Sequence, residues 1–366
     1  MTESTLLSAL ALQNVTKIGD ISAKKLIQFC GSVEAVFKEK KNTLLKIDGI
    51  GALMISDLFA KRHFLEAEQE LKFILDNKID CLFFLDHHYP EKLKHCIDGP
   101  ILLFKRGTIN IQDRPIISVV GTRKITSSGI VFCERLIEQL KMYNPVIVSG
   151  FAYGTDITAQ KAAVKHNLQT IGCLAHGLNQ IYPKTHVKYV EAIENNGGFF
   201  TDFWSTSDFD RNNFLKRNRI IAGLSEATIV IESAAKGGSL VTADIAASYN
   251  REVFAVPGRP NDAQSVGCNN LIKMQRAHVL STPEDVPYIL NWKLETDQKS
   301  IQKKLFVELD MDEKEVFRYL QDSGKSLLDS IALRCNMPTF RVASILLNME
   351  LKGVVRPLPG KQFELT

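Results

Sequence analysis

Pro115-Ile-Ile-Ser-Val-Val-Gly-Thr-Arg-Lys-Ile-Thr-Ser-Ser-Gly129 reads as a buried strand, a turn at Gly121 and the start of a helix. Its apolar run is continuous rather than alternating, as suits a strand covered on both faces of a parallel sheet. The turn lacks the G-x-G-x-x-G spacing that brings backbone onto a pyrophosphate. Instead Arg123 and Lys124 follow its single glycine. Side-chain charge is therefore the expected phosphate partner, which suits a phosphate polymer better than a dinucleotide.

Similar short apolar runs recur at 81–85, 101–104, 146–149, 170–174, 228–231 and 253–256, separated by helical patterns. This alternation predicts an α/β fold, an extended Rossmann-like doubly wound sheet, with ligands at the carboxyl ends of the strands. Upstream, residues 1–78 read as short helices. Ile18-Gly19 and Ile50-Gly51, 32 residues apart, each open a helix in the manner of helix-hairpin-helix units, a helical arrangement also described as SAM-like. The Rossmann-like domain is expected over 79–290 and a polar linker over 291–310. Residues 311–366 then show helices near 312–321, 326–334 and 338–352 and a two-stranded wing closed by Pro359-Gly360-Lys361, a small winged-helix domain.

The composition excludes several classes. Across 366 residues, 45 Lys and Arg against 41 Asp and Glu give a net charge of +4, so a nucleic-acid site has to come from local clustering. Seven scattered cysteines without a C-x-x-C pair read as reduced core residues of a cytoplasmic protein. No 18-residue apolar stretch predicts a membrane span. Cys173, His176 and His186 lack a fourth ligand for a metal, and no P-loop, nucleophile elbow or H-E-x-x-H motif is present. Neither metal, cofactor nor catalytic group is expected.

Four segments carry the candidate site. Gly121, Thr122, Arg123 and Lys124 form the first, and Ser149 and Gly150, in Ser-Gly-Phe-Ala-Tyr-Gly-Thr-Asp156, offer backbone N–H groups to an anion. Tyr182 and Lys184 flank Pro183, the former for stacking and the latter for phosphate. Lys216, Arg217, Asn218 and Arg219 make a basic cluster at a helix. A Lys236-Gly-Gly-Ser239 turn adds Gly238 and Ser239 at another helix start, where a further anion fits.

In order, Val-Gly-Thr-Arg, Ser-Gly-Phe-Ala-x-Gly-x-Asp, His-Gly-Leu-x-x-x-Tyr-Pro, Arg-Asn-Arg-Ile-Ile-Ala-Gly-Leu-Ser, Gly-Ser-Leu-x-Thr-Ala and Val-Pro-Gly-Arg resemble the DNA processing protein A family, also called Smf or DprA. The likeness spans roughly residues 80–285, and the helical and winged-helix flanks also fit. It implies a non-enzymatic protein of natural transformation and recombination that binds and protects single-stranded DNA, loads the RecA recombinase and forms a homodimer. It also implies that Arg123, Ser149, Gly150, Lys184, Arg217, Asn218 and Arg219 line the DNA groove. Two departures stand out: Tyr153 where an arginine is common, and Gln160 where a histidine closes the usual Ala-His. The alternative is a nucleotide phosphoribohydrolase of the cytokinin-activating type, whose P-G-G-x-G-T-x-x-E turn resembles residues 236–244. Here Leu240 and Val241 replace its second Gly-Thr and Ala243 stands in place of its glutamate, which argues against hydrolysis.

Overall fold

The computed structural model describes residues 1–293, 309–358 and 360–365, so most of the expected linker, and Pro359 of the wing turn, lie outside the described residues. The chain divides into two compact units, 1–294 and 295–366.

The first unit opens with six helices: α1 (Glu3–Gln13), α2 (Asp20–Cys30), α3 (Val33–Val36), α4 (Lys41–Leu44), α5 (Ala52–Leu58) and α6 (Arg62–Asp76). An α/β region follows: β1 (Asp80–Phe83), α7 (Glu91–Lys94), β2 (Leu102–Gly107), β3 (Ile116–Val120), α8 (Ser127–Leu140), β4 (Val146–Ser149), α9 (Thr155–Lys165), β5 (Thr170–Cys173), α10 (Val190–Asn195) and β6 (Gly197–Thr201). It continues through α11 (Arg211–Leu224), β7 (Ala227–Val230), α12 (Gly238–Ser248), β8 (Glu252–Ala255), α13 (Val266–Lys273), β9 (His278–Val279) and α14 (Asp285–Ile289).

The nine strands form one sheet in the order β1-β2-β6-β5-β4-β3-β7-β8-β9. Neighbours from β6 to β9 are parallel, while β1 and β2 join antiparallel at one edge. Chain order reverses at β3, with β4 on one side and β7 on the other, which is where a doubly wound sheet opens a crevice. The continuous apolar runs are explained by two cores. Ile117, Val119 and Ile147 pack with Leu136, Ile137 and Ala159 of α8 and α9. Their neighbours Ile116, Val120, Val146 and Val148 belong to a core on the other face, shared with α11 and with Leu10, Leu26 and Leu58 of the N-terminal helices.

Strands β6 and β9 were not expected from the sequence. At Gly197 and Gly198, with φ of 140° and 152°, an added Cβ would stand 2.0 Å from the Thr170 carbonyl oxygen and 2.1 Å from that of Arg106. Only glycine lets β6 pass between β5 and β2 in this conformation.

The N-terminal helices are fastened to the sheet by buried polar contacts. Arg219 of α11 pairs with Asp202 at 2.5 Å and with Asp20 of α2 at 2.9 Å. Asp20 also accepts from the Ile101 N–H at 2.8 Å. Burial pushes the Asp202 carboxyl up, opposed by Arg219. Burial alone would lower the Arg219 guanidinium, but Asp202 and Asp20 outweigh it and hold the group charged. Glu70 of α6 accepts from the Ser205 N–H at 2.8 Å, and Gln13 of α1 accepts from the Trp204 indole at 2.7 Å.

The second unit contains α15 (Met311–Ser323), β10 (Ser326–Leu327), α16 (Leu328–Arg334), α17 (Thr339–Leu351), β11 (Val355–Leu358) and β12 (Gln362–Leu365). Asp310 and Glu313 form a reciprocal capping box at the start of α15. Val316, Leu320, Ile331, Val342 and Leu346 supply a separate core, and the strands pair in the order β10-β12-β11. The three helices overlap the stretches expected from periodicity, except that 326–327, expected as helix, form β10.

Replacing Arg219 leaves two carboxylates without their cation. Arg219→Ala is expected to destabilise the first unit by about 3 kcal/mol, read as a lowered midpoint in urea unfolding; an unchanged midpoint contradicts the latch.

Candidate nucleic-acid interface

The crevice at the switch point is a cleft of about 730 Å³ bordered by the turns after β3 and β7 and by α11. Gly121 stands at the bend because an added Cβ would lie 2.3 Å from Thr155 Oγ1 and 3.0 Å from the Glu232 carbonyl oxygen. The Thr122 N–H donates to that carbonyl at 2.8 Å, and the Thr122 carbonyl accepts from the Thr155 N–H at 3.1 Å. Stapled on both sides, the turn holds Arg123 outward. Its guanidinium lies over the Phe214 ring, 5.3 Å from the centroid. Lys124 is exposed beside it, and its N–H donates to Thr122 Oγ1.

Three rings from separate segments meet across the cleft. Tyr182 lies 4.7 Å from Phe209 and 5.9 Å from Phe214, and Phe209 lies 5.6 Å from Phe214. Tyr182 and Phe209 remain 38% and 48% exposed, leaving π-surface for a base. Lys184 is exposed two residues beyond Tyr182, at the start of a 3-10 turn, but does not border the cleft. Phe209 was not singled out in the sequence. The available signal was a lone aromatic in a polar loop, Thr206-Ser-Asp-Phe-Asp210.

Several expected phosphate contacts are engaged inside the protein. Ser149 is fully buried and its hydroxyl donates to the Val119 carbonyl at 2.7 Å. Gly150 lies beneath Arg217 and Asp156, each within 2.5 Å of an added Cβ. The cradle predicted there is filled from within: Asp156 Oδ2 accepts from the Ala152 N–H at 3.3 Å. Burial pushes this carboxyl up, while Arg217, Ser149 and the Ala152 and Gly150 N–H groups pull it down.

The basic cluster on α11 splits around the helix. Arg217 is only 4% exposed, and its Nη1 donates to the Gly150 carbonyl at 2.6 Å and to the Cys173 carbonyl. It therefore clamps the ends of β4 and β5 under the cleft. Burial lowers its guanidinium, opposed by Asp156. Arg219 belongs to the latch on Asp20 and Asp202, and Lys216 borders a different depression beside it. Asn218 faces the cleft and its Nδ2 donates to the Gly238 carbonyl at 3.3 Å. Gly238 and Ser239 start α12 at the cleft wall, with Ser239 Oγ donating to Ser233 Oγ at 3.1 Å. Thus Gly121, Thr122, Arg123, Tyr182, Asn218, Gly238 and Ser239 converge, with Lys124 at the margin. Ser149, Gly150, Lys216 and Arg219 do not line the cleft, and Arg217 supports it from below.

Glu232, at the end of β7, accepts from the Thr126 N–H at 2.9 Å and from its hydroxyl at 2.5 Å, next to the start of α8. This carboxylate is committed to structure rather than offered as an acid or base. No cluster of three metal-ligating side chains occurs among the described residues.

With a cationic turn, aromatic rings and an open helix start at the switch point, comparison with known proteins is specific. The family model for DNA recombination-mediator protein A matches residues 80–291, and that for the DprA winged helix domain matches residues 307–361. The chain belongs to this family. Protein Smf of Synechocystis is 32% identical over 276 residues, covering 74% of this chain and 69% of that protein. DNA processing protein DprA of Streptococcus pneumoniae is 36% identical over 202 residues, covering 55% and 71%. The X-ray structure of the Streptococcus pneumoniae protein aligns with a TM-score of 0.68 and 28% identity, over 80% of this chain and 99% of that one. A structure of DNA processing protein A from Helicobacter pylori, described as having a unique single-stranded DNA binding mode, aligns with a TM-score of 0.53 and 28% identity, over 58% and 96%. Membership places the chain among DNA-processing proteins of recombination and confirms the mixed α/β fold with a C-terminal winged helix.

Glu232→Ala strands the Thr126 donors beside α8 and is expected to cost about 2 kcal/mol. Chemical denaturation measures this, and hydrogen exchange should rise first at residues 126–130.

Proposed function

We propose that this protein binds single-stranded DNA across the switch-point cleft, shields it and delivers it to a RecA recombinase. The observation that carries the reading is Arg123, held outward by a doubly stapled turn beside three partly open aromatic rings, with no ion pair to an acidic side chain among the described residues. Cations tracking phosphate and rings accepting splayed bases are the common means of holding an unpaired strand. The related Helicobacter pylori protein supports the same reading. Lys124 extends the positive charge beside Arg123, and Lys184 is exposed two residues beyond Tyr182. The homodimer expected from the family fits a sheet whose β9 margin, His278–Val279, is exposed. A cytoplasmic location accords with this role, and no helix among the described residues is long and apolar enough to cross a membrane.

A nucleotide hydrolase is not favoured. Asp156, which borders the cleft, and Glu232, beyond the end of β7, are tied to backbone and hydroxyl donors, and Ala243 sits where the hydrolase turn carries its glutamate. Incubation of the purified chain with nucleoside monophosphates should release no free base by chromatography; steady, enzyme-dependent release reverses this reading.

Arg123→Ala should weaken oligothymidylate binding roughly fivefold at moderate salt and flatten the slope of log K against log salt by about 0.7, the share of one phosphate contact on a single strand. Fluorescence anisotropy over a salt series measures both. Arg219→Ala, where it remains folded, should leave the slope unchanged, which separates a groove cation from a structural one.

A further inference from the structure

The loop between β6 and α11 carries Phe209, and its root is bound to helices that do not border the cleft. Gln13 of α1 holds two of its residues, donating from Nε2 to the Asp202 carbonyl at 3.1 Å and accepting from the Trp204 indole at 2.7 Å. Glu70 of α6, only 3% exposed, gives both oxygens to the next residue: Ser205 donates its N–H at 2.8 Å and its hydroxyl at 2.5 Å. On the other side the segment leading to Tyr182 grips the same residues. Asn179 Nδ2 donates to the Ser205 carbonyl at 2.8 Å, and Gly177 bears against the Trp204 carbonyl, from which an added Cβ would stand 2.3 Å. At its far end the loop is held by α11 alone, through Asn213 Nδ2 on the Asp208 carbonyl at 2.9 Å and the Asp210 cap on the Asn212 N–H at 2.7 Å. The far-end bonds place Phe209 against Phe214, and the root bonds place it against Tyr182.

We infer that Glu70 and Gln13 are positioning residues for the aromatic wall, through which the N-terminal helices set how well the cleft holds a base. The inference rests on the single-strand reading above and deepens it: charge retains the strand, and the spacing of the rings decides what its bases gain. A ring on a loose loop loses conformational freedom when it closes on a base, and fixing the root beforehand removes most of that loss. The chemistry of the fastening points the same way. An apolar residue at position 70 would seat α6 with less desolvation than a carboxylate, but only directional bonds fix the register of Ser205. Two unrelated helices converge on three residues of one loop, and that loop leads to a ring left 48% exposed beside Tyr182.

The test compares oligothymidylate with an abasic strand of equal length and charge, using the full chain and fluorescence anisotropy at one moderate salt concentration. Phe209→Ala is expected to weaken oligothymidylate at least ~5-fold and the abasic strand by no more than ~2-fold, because only the former can stack. Glu70→Ala and Gln13→Ala should show the same selectivity, at ~3-fold or more on oligothymidylate. Glu70→Gln keeps an acceptor for the Ser205 N–H and should stay within ~2-fold of the unaltered chain. Gln13 is half-buried, so its variant carries the test where Glu70→Ala fails to fold. Equal weakening of both strands by the position 13 and 70 variants shows a merely structural role and overturns the inference. If Phe209→Ala acts selectively and the other two change nothing, the inference fails and the single-strand reading stands. If neither Phe209→Ala nor Arg123→Ala alters binding of either strand, both fail.

Discussion

A guanidinium taken out of water needs acceptors to replace its hydration, and Arg217 finds two at the ends of neighbouring strands, its Nε having none among the described residues. By donating to the Gly150 and Cys173 carbonyls it fixes the carboxyl ends of β4 and β5 relative to α11. Asp156 shares that buried space and opposes the drop in the Arg217 pKa. The floor of the cleft is thus set by a buried guanidinium and carboxylate engaged with the protein's own backbone. Above it, Phe214 and Asn218 project from the same helix, so the clamp also positions a ring and a turn that face ligand.

The N-terminal helices extend this logic. Their contacts with Asp202, Trp204 and Ser205 immobilise the loop after β6 that continues to Phe209. A change in the packing of α1, α2 or α6 would therefore reach the aromatic wall through a few bonded residues. The first Ile-Gly turn is followed by Asp20 at this junction, whereas the second, at Gly49–Gly51, borders a solvent-facing hollow with Lys17 and the exposed Leu53. Two units alike in sequence have taken different positions, one as a fastening and one as surface.

Much of the sheet was legible because buried parallel strands are mostly apolar, and β3, β4, β5, β7 and β8 are so with few small polar residues among them. Strand β6 was hidden because its requirement is for absent side chains at Gly197 and Gly198, which reads as a turn when seen alone. Within the site, Arg123 and Tyr182 could be found from a turn and a proline loop. The mixture on α11 could not be sorted by composition, yet successive helical residues step by about 100°, so Lys216, Arg217 and Arg219 cannot share one face. Which of them meets the cleft depends on partners far away in sequence, Asp20 and Asp202 for Arg219 and Gly150 and Cys173 for Arg217.

The same dependence on distant partners distinguishes this cleft from that of a dinucleotide-binding fold. In such folds the helix N-terminus after the first strand is left bare for pyrophosphate. Here a carboxylate sits beside that helix start and another fills the turn after β4, so these sites are neutralised before any ligand arrives. A soluble pyrophosphate would have to displace buried, hydrogen-bonded carboxylates to bind there. What stays accessible lies further out: an exposed arginine, ring faces, and the uncapped start of α12. Binding moves from the bottom of the crevice to its rim, where a chain can enter and leave at both sides. Under the proposed single-strand reading, a strand continuing beyond the site on either end suits such a rim better than an enclosed cofactor does.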